Sequence, residues 1–313
     1  MKNKKKFIPV MLMPFQEDEK IDYSALNQLV EYYIRAGAQG LFANCLSSEM
    51  FNLSKEEMLK SVAFIVDKVN GRVPIVATGT FADTIENQAE FVKEIYTTGI
   101  DCVIVITSLL AEQTDSEAVF QKNVEQLLSL TADIPLGFYE CPVPYKRVMS
   151  SDFLGKLVKS GRVKYHKDTS LDIENVKAKI VSTLEVADFG LYDAYMAHAV
   201  ETLRAGSAGL SCIQGNYFPE LVVWLCDNYD NLDREEEISL VQQFFIDNMD
   251  VMHETYPTSA KYILRQRSLD IGVYCRNRSE SLSLDTKKQL NQLWDDFEKL
   301  SHRIGFSKRV IDN

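Results

Sequence analysis

The 313-residue chain contains no Cys-x-x-Cys pair, no Gly-x-Gly-x-x-Gly, no Gly-x-x-x-x-Gly-Lys-[Ser/Thr] loop, no His-Glu-x-x-His and no Gly-x-Ser-x-Gly elbow. These absences count against a dinucleotide fingerprint, a phosphate-cradling P-loop, a zinc-protease helix and a hydrolase nucleophile turn. Only four histidines occur, and none are spaced as a metal cluster, so a zinc-dependent aldolase is disfavoured and no metal is expected. Positive charge is short as well. The formal net charge is −11 and the basic residues are scattered, which argues against a nucleic-acid or anionic-membrane partner. No apolar run approaches the roughly 18 residues of a spanning helix. The basic opening Met1–Lys6 is followed by a stretch broken at Pro9 and Pro14, unlike a signal peptide. The six cysteines, at 45, 102, 141, 212, 226 and 275, are far apart and read as reduced thiols of a cytoplasmic protein, small buried hydrophobes in the first instance.

What is present is an alternation of short apolar runs with longer amphipathic ones, the pattern of a parallel sheet with crossover helices. The apolar runs are Phe7–Met13, Gly40–Asn44, Pro74–Thr78, Asp101–Thr107, Pro135–Tyr139, Val163–His166, Ala187–Tyr192 and Ala208–Ile213. Helices are predicted over Tyr23–Ala36, Lys55–Val69, Thr84–Thr98, Ser116–Leu130, Ser151–Lys159, Ile173–Thr183 and Tyr195–Ala205. Ser54 with Glu57 forms a capping-box start. Successive βα units favour a closed (β/α)8 TIM barrel, an α/β fold, over an open doubly wound sheet. The segments Leu232–Thr255, Ala260–Leu269 and Asp285–Ile304 read as helices, the eighth helix plus an extension. The expected division is a barrel over residues 1–230 and a C-terminal helical extension over 231–313.

Barrel chemistry sits at the C-terminal ends of strands. Those ends hold Ser47, Ser48 and Glu49, then Tyr139 and Glu140, then His166, Lys167 and Asp168, and finally Asn216. A lysine closing an apolar strand is desolvated, which lowers its pKa and exposes a nucleophilic amine. On spacing alone, Lys167 could equally be salt-bridged to Asp168 or Asp172. Side-chain alternation places His166 outside the barrel.

Five segments, in order, resemble the dihydrodipicolinate synthase and N-acetylneuraminate lyase family of pyruvate-dependent class I aldolases. Ile8–Phe15 is similar to its opening strand, and Cys45-Leu-Ser-Ser-Glu49 to its carboxylate-binding turn. Phe138-Tyr139-Glu-Cys-Pro142 resembles its Tyr-Asn-x-Pro motif, and Tyr165-His-Lys167-Asp-Thr-Ser170 its Schiff-base segment. Ala205–Ser211 with Asn216 and Pro219 resembles its last strand.

The resemblance implies a lyase in which Lys167 condenses with pyruvate or a 2-oxo-3-deoxy sugar acid, without any cofactor beyond the lysine itself. It implies that Tyr139 and Ser47 relay protons and that the backbone near Leu46 and Ser47 holds the substrate carboxylate. Ser48, Glu140, Ser211 and Asn216 are expected to bind the rest of a polyhydroxylated substrate. Relatives associate, so a homodimer or homotetramer is expected. Departures are also visible. Two glycines of the carboxylate turn are Cys45 and Ser48, the tyrosine that relatives lend across a subunit interface is replaced at Leu110, and the substrate-binding arginine is replaced at Pro144 with Lys146 and Arg147 nearby. Leu109 and Leu110 are expected to make that side of the mouth apolar. Dihydrodipicolinate synthesis, and a retired carboxylate binder, stand as alternatives.

Overall fold

The structure is a computed structural model that describes residues 4–81, 83–277 and 282–306. Strands and helices alternate as β1 (Lys6–Phe7), α1 (Tyr23–Arg35), β2 (Leu41–Ala43), α2 (Lys55–Val69), β3 (Ile75–Thr78), α3 (Ile85–Tyr96), β4 (Cys102–Ile106) and α4 (Glu117–Leu130). There follow β5 (Leu136–Tyr139), α5 (Ser151–Val158), β6 (Val163–Asp168), α6 (Ile173–Thr183), β7 (Gly190–Asp193), α7 (Ala199–Ala205), β8 (Gly209–Leu210) and α8 (Pro219–Asn228). Neighbouring strands pair in parallel from β2 through to β8. β1 pairs β8 through Lys6↔Gly209 and Phe7↔Leu210, and a bridge from Val10 to Phe42 joins the segment after β1 to β2. The chain is a (β/α)8 barrel.

Alternation along each strand divides the apolar residues into two layers. On β4, Cys102, Ile104 and Ile106 point into the barrel, while Val103 and Val105 meet the helices. Phe42, Tyr165 and Tyr192 fill the barrel, the last two stacked at 4.7 Å. Gly137 makes room for this filling, since a Cβ there would lie 2.7 Å from Ile104 Cδ1 and 2.8 Å from Tyr165 Cβ. At the closing seam, a Cβ on Gly209 would overlap the Lys6 carbonyl oxygen.

Two helices, α2 and α6, run over the predicted residues. Ser54 and Glu57 form both halves of the capping box on α2. Other bounds differ. β1 is far shorter than the run Phe7–Met13, because Pro9 has no N–H to give the ladder. The eighth helix is α8, placed before the predicted Leu232–Thr255. Its apolar, largely buried residues carry little amphipathic signal. The 232–255 run is broken into a 3₁₀ turn (Leu232–Arg234), α9 (Glu235–Asp247) and α10 (Met249–His253). α11 (Thr258–Gln266) and α12 (Leu284–Arg303) complete the extension. Residues 278–281 and 307–313 of the expected extension, and residues 1–3 of the expected barrel, lie outside the described residues. No described helix is long and apolar enough to cross a membrane.

The segment after α10 folds back onto the C-terminal mouth of the barrel. Lys261 Nζ lies 3.5 Å from Glu49 Oε1, and Arg276 pairs with Glu57 at 2.6 Å. The Tyr217 hydroxyl donates to the Met252 carbonyl and pairs with Ser259 Oγ, both at 2.7 Å.

Candidate active site

Tyr139 ends β5 and stands in direct register with Lys167, the next-to-last residue of β6. Both point into the barrel, and Lys167 Nζ stands 4.4 Å from the centroid of the Tyr139 ring and 5.8 Å from that of Phe42. Lys167 is only 4% exposed, and among the described residues no carboxylate pairs with it. Burial pushes its ammonium below the ordinary lysine range, opposed in part by the nearby Cys45, Cys141 and Cys212 thiols. The salt-bridge alternative for Lys167 is therefore not the arrangement observed. Burial holds the Tyr139 phenol well above its usual range, with Cys141, Cys45 and Tyr256 adding to the effect. It thus remains a proton donor.

Ser47 lies in a 3₁₀ turn (Leu46–Ser48) after β2 and is almost fully buried. The turn's internal bonds begin at the Ser48 and Glu49 amides, which leaves the first-turn N–H groups of Leu46 and Ser47 without a protein acceptor among the described residues. Lys167, Tyr139, Ser47 and Leu46 are thus gathered at one end of the barrel.

Four other expected contacts need correction. Glu140 is the neighbour of inward-facing Tyr139 and so faces outward. Its carboxylate is fully buried, accepts from the Met149 and Thr169 amides, and binds Lys179 Nζ at 2.5 Å. Ser48 Oγ donates to the Met11 carbonyl at 2.7 Å and accepts from the Cys45 amide. Ser211 Oγ donates to the Ile8 carbonyl and accepts from the Tyr165 hydroxyl, one layer below Lys167. Asn216 accepts from Tyr33 and donates to the Val10 carbonyl and to the Tyr256 hydroxyl. The polar capacity of all four is engaged by the protein itself. Leu109 packs at the mouth as expected, but Leu110 is turned into the outer core.

Behind the inward pair lies a charged cluster. Lys179, from α6, binds both Glu140 and Asp168, the latter at 2.7 Å, and His166 Nε2 lies 3.3 Å from Glu140. The Glu140, His166 and Asp168 ligand atoms lie within 4.8 Å of one another, a spacing that could suit a metal. The Lys179 ammonium already pairs with both carboxylates and offsets one of their two charges. Burial alone would push the Glu140 carboxyl up, but His166 and Lys179 outweigh it and hold it at about 2.

The residue missed from the sequence is Tyr256, between α10 and α11. Its phenol accepts from Asn216 at 2.6 Å. It lies far from any strand end, and its only signal was an aromatic residue before Pro257 where a helix was expected to stop.

A sequence profile described as the Dihydrodipicolinate synthetase family matches residues 3–296. The chain belongs to this family. It is 22% identical over 295 residues to a 4-hydroxy-tetrahydrodipicolinate synthase of Oceanobacillus iheyensis, covering 94% of this chain and 97% of the relative. The Bacillus subtilis enzyme of that name is 24% identical over 264 residues, covering 84% and 89%. Among solved structures, the Escherichia coli K12 prophage protein YagE, in complex with pyruvate, superposes with a TM-score of 0.82 at 20% identity, covering 97% of this chain and 99% of that one. CdNal of Clostridium difficile, in complex with mannosamine, gives 0.81 at 18% identity, covering 94% and 99%. The comparisons support a lyase or synthase of this family.

Proposed function

We propose that the protein is a class I lyase that forms a Schiff base between Lys167 and the ketone of pyruvate or a related 2-oxo acid. The observation that carries this reading is a buried lysine with no anionic partner among the described residues, set against the face of a protonated phenol. Desolvation favours the neutral amine, which attacks the ketone. Loss of water leaves an iminium, an electron sink that permits bond making or breaking at the neighbouring carbon. Tyr139 protonates the departing oxygen. The Leu46 and Ser47 amides are placed to receive the carboxylate.

The second substrate requires a different argument from the one that the resemblance and the mouth residues suggested. Lys146 Nζ donates to the Thr169 carbonyl, and Arg147 donates to the Glu112 and Asp115 carbonyls, so neither is poised to replace the cation missing at Pro144. This speaks against aspartate semialdehyde. The side chains expected to hold a polyhydroxylated chain are engaged elsewhere, and Leu46, Phe81, Leu109 and Ile213 pack at the mouth. A weakly polar, uncharged carbonyl partner suits that lining better than either.

Incubation with pyruvate and borohydride should add one reduced pyruvate to Lys167, read by peptide mass, and Lys167→Ala should abolish the adduct. Labelling of another lysine, or of none with several 2-oxo acids, overturns the Schiff-base reading. Parallel assays with aspartate semialdehyde, a 2-oxo-3-deoxy sugar acid and an apolar aldehyde then rank the partners.

A further inference from the structure

The barrel has a second mouth, at the N-terminal ends of its strands and away from Lys167. A cavity of about 530 Å³ opens there, and its charged lining is Lys4, Lys5, Lys6 and Lys164 against the single carboxylate of Asp188. In a chain of net charge −11 that is a local reversal of sign. Lys164 is far from the opening lysines in sequence. Only the curl of the sheet, closed by β1 on β8, brings it to them.

Alternation aims part of this lining at the barrel axis. Phe7 packs in the outer layer and Ile8 in the inner one, so Lys6 stands on the inward face below Ile8. Among the described residues Lys6 has no ion pair and no side-chain hydrogen bond. Lys4 and Lys164 pair with exposed carboxylates, Asp227 at 3.5 Å and Asp188, contacts that are worth little in water. Two hydroxyl residues complete the wall, Tyr192 at 6% exposure and Ser207 at 1%. Tyr192 lies stacked on Tyr165 with its hydroxyl over Gly190, the first residue of β7, where a Cβ would come within 2.9 Å of that oxygen. Neither hydroxyl has a hydrogen-bond partner among the described residues. A buried hydroxyl without an acceptor is destabilising unless something else takes its hydrogen.

We propose that this mouth binds a small phosphate-bearing anion, held by the Lys6 ammonium and the Tyr192 and Ser207 hydroxyls, with Lys164 at the rim. The donors come from β1, β7, the turn before β8 and β6, so they approach from several directions. A phosphate offers three or more acceptor oxygens in a tetrahedral spread, whereas a carboxylate offers two in a plane. The cavity is larger than a phosphate alone, and Ile180, Leu184 and Val186 give it an apolar wall for a carbon skeleton. Apolar lining with a few convergent polar groups is how small-molecule sites are generally built. The site lies at the opposite end of the barrel from Lys167 and stands independently of the Schiff-base reading.

Inorganic pyrophosphate is the probe. Calorimetric titration, with broadening of the phosphorus NMR resonance as a second readout, should show one saturable site per chain. Tyr192→Phe keeps the ring and the net charge and should weaken that binding by about 10-fold, while Lys6→Met should weaken it by about 10–100-fold. Because Tyr192→Phe removes no charge, it separates a shaped site from general attraction to lysines. Both variants should keep the wild-type circular dichroism spectrum and the wild-type extent of pyruvate trapping at Lys167, which reports on the far end of the barrel. No saturable binding to the wild type, or full affinity in either variant, overturns the site. Tighter binding of malonate than of pyrophosphate overturns its assignment to phosphate. Absence of a pyruvate adduct in the wild type would count against Lys167 alone, since pyrophosphate binding is read without it.

Discussion

Residues 166–168 of β6 face two different electrostatic worlds. Inside the barrel, Lys167 stands against an aromatic face with thiols around it and no described carboxylate to pair with. Outside, His166 and Asp168 join Glu140 and Lys179 in a fully buried cluster of paired charges. The backbone step between the two is a single residue, because successive side chains of a strand point to opposite faces. An unpaired buried ammonium is expensive and gives up its proton to leave a reactive amine, whereas a paired one is inert and holds elements together. The same residue type therefore does opposite work on the two faces: Lys167 is kept available, and Lys179 ties α6 to the ends of β5 and β6.

Substitutions on each side should sharpen that contrast. Tyr139→Phe removes the inner hydroxyl and should lower turnover by about 10²–10⁴-fold with little change in the unfolding midpoint. A large loss of stability would mean that Tyr139 belongs with the outer, structural set. Lys179→Met strands two buried carboxylates and should cost about 3–5 kcal/mol in denaturant unfolding. A neutral result would dissolve the distinction between the faces. Acid should attack the outer face in a defined window. The Glu140 carboxyl is held below its unfolded value of about 4.3. Its stabilisation is thus complete above that pH and is lost as pH falls through about 2. Circular dichroism against pH should show that loss in the wild type and a smaller one in Glu140→Gln. The mildest change is Ser211→Ala, which leaves the Tyr165 hydroxyl short of a partner and should cost about 1–2 kcal/mol with turnover unchanged. A loss of turnover there would return Ser211 to the substrate site.

Much of this was legible in the sequence, for physical reasons that differ by element. α2 was bounded by a capping box that is entirely local, and Lys167 and Tyr139 stood at the ends of apolar strands whose direction the barrel fixes. The outward turn of Glu140 was available from the same alternation that placed His166 outside. Ser48, Ser211 and Asn216 were different. They lie in or just before short turns, where no period sets side-chain direction, and their partners Met11, Ile8 and Val10 belong to the first strand's continuation. Tyr256 reaches Asn216 only because the extension folds back over the mouth, a long-range contact with no local trace.

The seam between β1 and β8 has a consequence for synthesis. Lys6 pairs with Gly209, so the opening strand gains its ladder partner only when nearly the whole barrel has been made. At about 5–20 residues per second, a ribosome takes on the order of 10–40 s to travel between them. During that interval the nascent opening strand is an unpaired edge. Lys4, Lys5 and Lys6 at its start supply the like charge that discourages another emerging chain from docking there. The lysine-rich opening thus guards the strand until the glycine that admits it arrives.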